Sequence, residues 1–213
     1  MTQKLWLKKQ KLIYSKDVFD ILQFGSSIFE NSSPNDVDIA VIFQKIPLKE
    51  QLSQAQEIKK QLQKKTNLPL HIKSFDLYSL FESSNFAKES ILFYGKSLIT
   101  NEYFSRKLGL TPVIQIEYSL KKLAKKDKIK FNYLLNGKKE KYGLLRKYGG
   151  SLTKPGQIEI KPEHEKIFVD KIKEITNDFK VNKKLVPYWN DALIGIFYQT
   201  KDELNSFVSL ITE

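Results

Sequence analysis

The chain contains no cysteine. Disulfides and thiolate zinc sites are therefore excluded, and a reducing compartment such as the cytoplasm fits the composition. Only two histidines are present, His71 and His164, too few for a typical histidine-built zinc centre. Long apolar runs are missing as well. No stretch approaches the ~20 residues needed to cross a bilayer, so no membrane partner is expected. Near the start, Lys4, Lys8 and Lys9 break up the apolar residues and no small-residue cleavage site follows, which speaks against a secretory signal. Acids are scarce relative to bases, 24 against 36, leaving a net charge of +12. That excess favours polyanions such as nucleic acid, nucleotides or anionic membrane, although lysine-rich surfaces also serve solubility alone. Aromatic residues, in contrast, are plentiful, with 14 Phe and 10 Tyr. They suffice for the interior of one large domain or two small ones.

Along the chain, residues 4–16 read as a short amphipathic helix with Leu5, Leu7, Leu12 and Ile13 among lysines. Residues 18–24 form an apolar strand-like run ending at Gly25-Ser26-Ser27, and the polar stretch 30–35 with Pro34 reads as a loop. Residues 36–43 make a second strand with a β-branched body. A helix is expected at 48–65, where Leu48, Leu52, Ala55, Ile58 and Leu62 recur at helical spacing. Residues 68–75 are a third strand, and 78–98 read as mostly helical with a polar interruption. Beyond residue 110 come a strand at 112–118, a helix at 125–135, and a short helix at 143–148 stopped by Gly149-Gly150. A strand at 157–161, a helix at 162–179 and an extended segment at 181–189 follow. The fold class expected is α+β, with a mixed sheet and flanking helices in residues 1–108 and a second, smaller α+β domain in 109–213.

The chemistry concentrates in Gly25-Ser26-Ser27 and, with nine residues separating it from Ser26, Asp36-Val37-Asp38. Strand alternation puts Asp36 and Asp38 on one face. Two adjacent carboxylates repel each other unless a cation sits between them. Mg²⁺ (or Mn²⁺) suits such a pair, with phosphate oxygens and water completing its shell. The Gly-Ser turn lets backbone N–H groups and a hydroxyl approach an anion closely. The plainer reading of Asp-x-Asp after Pro34 is a turn or cap feature; the glycine turn at this spacing is what favours chemistry. Together these features closely resemble the DNA polymerase β-like nucleotidyltransferase superfamily, in particular its minimal nucleotidyltransferase branch. Leu22-Gln23-Phe24 before the turn, Ile39-Ala40-Val41-Ile42 after the acids, and Phe93-Tyr94-Gly95-Lys96-Ser97-Leu98 extend the likeness over residues 15–100. The resemblance implies metal-dependent transfer of a nucleoside monophosphate from a nucleoside triphosphate such as ATP, with release of pyrophosphate. Gly25, Ser26, Ser27 and Asn35 would bind the nucleotide, and Asp36 and Asp38 the metal.

Three positions depart from that pattern. Ile28-Phe29-Glu30 stand where relatives often carry Ala-Arg-Gly, and Asn35 stands where a serine often precedes the acids. The later strand, Leu70 to Phe75, lacks the usual third carboxylate; its polar face carries His71 and Lys73. His71 can serve as base, or the Lys73 ammonium can replace a second metal, or catalysis is lost and binding remains. Asp76 is a candidate substitute but falls on the other strand face. Taken alone, His71 reads first as an ordinary strand histidine, and His164 between Glu163 and Glu165 as a surface residue.

The second half is basic. Lys121, Lys122, Lys125, Lys126, Lys128 and Lys130 precede Lys138, Lys139, Lys141, Arg146 and Lys147, with Phe131, Tyr133, Tyr142 and Tyr148 interleaved. Lysines neutralise phosphates and aromatic rings stack on bases, so RNA or DNA is an expected partner. The same run also reads as a plain helix, with Ile129, Tyr133 and Leu134 facing the core. Three functions compete: transfer to a nucleic-acid acceptor, nucleic-acid binding on an impaired transferase fold, and nucleotidylation of a protein.

Overall fold

The run Ile39-Ala40-Val41-Ile42-Phe43 is apolar at every position, which a strand tolerates only when both its faces are covered. In the computed structural model, which describes residues 9–29, 32–138 and 141–187, those five side chains are completely buried. They belong to β2 (Val37–Phe43), which lies between β1 (Val18–Phe24) and, after α1 (Leu48–Gln63), β3 (Leu70–Asp76). The chain continues through α2 (Leu77–Phe81), α3 (Lys88–Tyr94), β4 (Lys96–Ser97) and α4 (Phe104–Lys107). The sheet order is β3-β2-β1-β4. β1 runs antiparallel to β2 and β4, whereas β3 is parallel to β2, with α1 as the crossover. The sheet is mixed, as the order of elements predicts. One face packs Val37, Ile39, Val41 and Phe43 against Ala55, Ile58 and Leu62 of α1. The other packs Leu22, Phe24, Ala40 and Ile42 against Leu80, Ile91, Leu92 and Phe104 of the short helices. Each fully buried aliphatic side chain contributes roughly 1.5–3 kcal/mol.

A second sheet follows. β5 (Leu110–Tyr118) leads into α5 (Lys125–Asn136), the two-residue strands β6 (Gly137–Lys138) and β7 (Lys141–Tyr142), and α6 (Leu144–Tyr148). Next come β8 (Ser151–Lys154), β9 (Gln157–Ile160), α7 (Glu165–Lys173) and β10 (Phe179–Pro187). β10, β5, β9 and β8 form an antiparallel sheet in that order, and β6–β7 is a separate hairpin. Ile114, Ile116, Ile158 and Ile160 pack against Phe131, Leu135, Leu145, Phe168 and Ile172. Ile28 and Tyr94, from the first half, are buried in that same cluster. The α+β class is therefore observed.

Several expected elements differ. Of the helix expected at 4–16, residues 1–8 lie outside the described residues and 10–15 are irregular. Gln10 N–H donates to the Leu98 carbonyl, and the Ile13 backbone is bound on both sides by the Gln61 amide. Tertiary partners thus take the groups a helix would use. The helical stretch expected at 78–98 is two short helices followed by β4. The helix expected at 162–179 ends at Lys173, because Phe179 is needed for β10. The last residues of the extended segment, 188 and 189, lie outside the described residues.

Candidate active site

β1 ends at Phe24, the register partner of Asp38. The next residue, Gly25, turns the chain into a single 3₁₀ turn, Gly25–Ile28, with φ of +76°. That left-handed conformation is open to glycine and strained for L side chains. A second constraint acts on the same atom. A Cβ at Gly25 would lie 2.3 Å from Asp38 Oδ2, inside any tolerable contact. The glycine bend and the second acid of Asp-x-Asp therefore touch across the sheet.

Parallel pairing of β3 on β2 makes His71 the register partner of Asp38 and Lys73 that of Ala40. Alternation then puts Asp38, His71 and Lys73 on one face, with Asp36 in the bend just before β2. The His71 Nδ1 lies 3.2 Å from Asp36 Oδ2 and 3.9 Å from Asp38 Oδ1, so both acids converge on one imidazole. The carboxylates are half-buried, with 34% and 28% of their side-chain surface exposed, while His71 and Lys73 are exposed. Burial raises the Asp38 carboxyl above its ordinary 3.8, the neighbouring Asp36 charge adds to the rise, and the His71 and Lys73 charges partly offset it. A cation at this edge would relieve the repulsion, and the two acids fit one. Among the described residues, no group of three or more His, Cys, Asp or Glu is placed to hold a metal ion, so phosphate and water would have to complete its shell.

The phosphate-side residues divide. Ser26 is exposed on the turn, and Asn35 is exposed next to Asp36. Ser27 is not available: it is buried, its hydroxyl accepts from Gln23 Nε2 at 3.0 Å and donates to the Phe24 carbonyl at 3.3 Å. Ser27 braces the turn from inside, which corrects its expected place among the ligand contacts. Ser32, missed at the sequence level, holds the turn from outside by donating to the Ser26 carbonyl at 2.9 Å; the loop's serine content was the available signal. Asp76 is excluded as third acid. Its carboxylate caps α2 by accepting from the Tyr78 and Ser79 N–H groups, and it lies five residues along β3 from His71, ~16 Å away at strand rise. A cavity of about 620 Å³ runs past Lys73, Ser74, Phe75, Asp76 and Phe86. Of the candidate site residues only Lys73 lines it.

In the basic half, Lys121, Lys122, Lys125, Lys126, Lys128 and Lys130 are all exposed, and none pairs with an acid among the described residues. The helix face differs from the expectation. Phe131 and Leu135 are buried, while Ile129 and Tyr133 are 45% and 43% exposed and Leu134 is half-buried. His164, expected at the surface, is buried with its ring 4.9 Å from that of Tyr148. Among the described residues, no helix is long and apolar enough to cross a membrane. In comparisons with known proteins, no family model matches the chain, and neither a curated protein nor a solved structure does.

Proposed function

We propose that this protein is a metal-dependent nucleotidyltransferase of the DNA polymerase β-like type, moving a nucleoside monophosphate from a triphosphate to an acceptor, with nucleic acid as the acceptor class. The observation that carries this reading is the contact of the positive-φ Gly25 with the Asp38 carboxylate, with Asp36 and His71 at the same edge. It joins a bend able to hold phosphate to a carboxylate pair able to hold a cation.

In this reading Asp36 and Asp38 hold Mg²⁺ or Mn²⁺, which when bound neutralises phosphate charge and favours in-line displacement. The exposed Ser26 and the backbone N–H groups of the turn orient the triphosphate. An acceptor hydroxyl oxygen bonds to the α-phosphorus, the bond to the bridging oxygen breaks, and pyrophosphate leaves. His71, whose Nδ1 lies 3.2 Å from Asp36 Oδ2, takes the hydroxyl proton. Lys73, one pleat further along the same face, offsets charge that a second metal would otherwise carry.

The test is incubation with labelled triphosphates, Mg²⁺ or Mn²⁺ and mixed RNA. Incorporation is expected, and Asp38→Ala should lower it by more than about 100-fold. His71→Gln should act on kcat, and Lys73→Gln on the KM for triphosphate. Incorporation indifferent to Asp38→Ala would sink the proposal. One observation favours a second reading, a binding protein without turnover: the only acid at the end of β3 is committed to capping α2. Complete absence of incorporation with any acceptor, a protein acceptor included, would select it.

A further inference from the structure

We infer that the face built from α5, the β6–β7 hairpin and α6 binds an unpaired strand of nucleic acid, with Tyr133 and Tyr142 as stacking platforms and the surrounding lysines on its phosphates. This names the acceptor for the transferase site and rests on that reading for its purpose, though not for the binding itself.

α5 carries two apolar stripes at i, i+4 spacing. Phe131 and Leu135 fill the core, and Ile129 and Tyr133 point to solvent on the opposite side. Lys125, Lys126 and Lys130 lie three or four residues before these exposed positions, so cations flank them on the same side of the helix. The aromatic surface continues beyond the helix end. Lys138 Nζ sits 5.2 Å from the Tyr133 ring centre. On the hairpin, Tyr142 is 62% exposed, with the Arg146 guanidinium 4.0 Å from its ring centre. The hairpin is locked to the helix end by Gly137, at φ +90°, where a Cβ would lie 2.1 Å from the Lys141 carbonyl oxygen. Lys138 and Lys141 face each other across the hairpin, a like-charge pair that costs stability and gains from an anion between them.

Charge selects a polyanion, and the exposed rings select one with unpaired bases. A base inside a duplex offers its face to its neighbours, whereas a single strand can lay bases on tyrosines and its backbone along lysines. A bilayer surface is a poorer match, since the solvent side of α5 offers only Ile129 and Tyr133 as apolar contacts.

The experiment uses the full chain carrying Asp38→Ala, without metal or triphosphate. Fluorescence anisotropy would follow labelled RNA of about 20 nucleotides without self-complementarity, the same sequence as DNA, both duplexes, and phosphatidylserine vesicles. A single strand, RNA or DNA, should bind at least about tenfold more tightly than its duplex. Tyr142→Ala and Tyr133→Ala should each weaken binding about 5- to 50-fold, and Tyr142→Phe should stay within about twofold. Changing Lys125, Lys126 and Lys130 to Gln should flatten the slope of log affinity against log salt by about two. Equal affinity for duplex and single strand with no effect of the tyrosine changes would overturn the inference, as would binding to vesicles alone or no binding. Binding retained here, with no incorporation by the unaltered protein, would remove the transferase reading and leave this surface standing.

Discussion

Gly25 and Asp38 constrain each other. The glycine has a backbone conformation that alanine adopts only with strain, and its missing Cβ is the space filled by the Asp38 carboxylate. Gly25→Ala should therefore lower stability by more than about 1 kcal/mol and weaken Mn²⁺ binding by displacing Asp38, which thermal melts with and without the metal would register. Asp38→Asn should do the reverse to the metal-free fold. The folded carboxyl titrates above 3.8, so the folded state holds this proton more tightly than the unfolded chain. Stability is then lost as pH rises from about 3.8 through the raised value, and ionised Asp38 carries a cost at neutral pH. The asparagine variant should melt at a higher temperature at pH 7 in the absence of divalent ions. The gain should vanish below pH 3.8, and Mg²⁺ should stabilise only the unaltered protein. A lower melting temperature for Asp38→Asn at pH 7 would contradict the electrostatic account.

α5 shows why an element can be legible while its orientation is not. Residues 125–135 read as a helix from spacing alone, and α5 spans Lys125–Asn136. Its buried side could not be read in the same way, because Ile129/Tyr133 and Phe131/Leu135 are equally regular stripes roughly 180° apart. The packing of Phe131 against Tyr118, their ring centres 4.7 Å apart, settles the choice. Phe131→Ala should cost ~3–5 kcal/mol, whereas Ile129→Ala should change stability by no more than about 0.5 kcal/mol; denaturant melts of both variants would check the assignment. The segment at 10–15 teaches the complementary lesson. The lysines and leucines of 4–16 suit a helix, but hydrogen bonds to Leu98 and Gln61 and the packing of Leu12 on the first core hold 10–15 irregular. At the level of strands, continuous apolar runs marked β2 correctly, while two-residue β4, β6 and β7 carry too few residues for any periodicity.

The two sheets are joined by more than a chain crossing between β4 and β5. Ile28 and Tyr94 are buried among residues of the second sheet, and Leu185 of β10 packs on the helical layer of the first. Charged links run the same way: the Tyr94 hydroxyl donates to Glu165, Lys96 lies 3.6 Å from Glu163, and Lys183 lies 2.5 Å from Glu89. Burial and the Glu165 bond push the Tyr94 hydroxyl well above its ordinary range, so it stays protonated as a donor. The full chain should accordingly unfold in one calorimetric transition. Residues 1–108 expressed alone should lack a cooperative melt, because the partners of Ile28 and Tyr94 would be missing. Two resolved transitions would show that the halves are energetically separate.

What the sequence determined by itself is what local pattern encodes: the strand, glycine bend, strand, helix, strand order, the α+β class, and two acids beside the bend. These follow from alternation and helical spacing within a few residues. Tertiary structure alone decided that His71 meets both acids, through the parallel register of β3 on β2. It also decided that Tyr133 faces water, whereas the Ser27 bonds to Gln23 and Phe24 and the Asp76 cap on Tyr78 and Ser79 are local, between residues two to four apart. The His71 contact depends on a strand pairing many residues away and the Tyr133 exposure on which of two equivalent faces finds a neighbour, and neither is specified by local spacing.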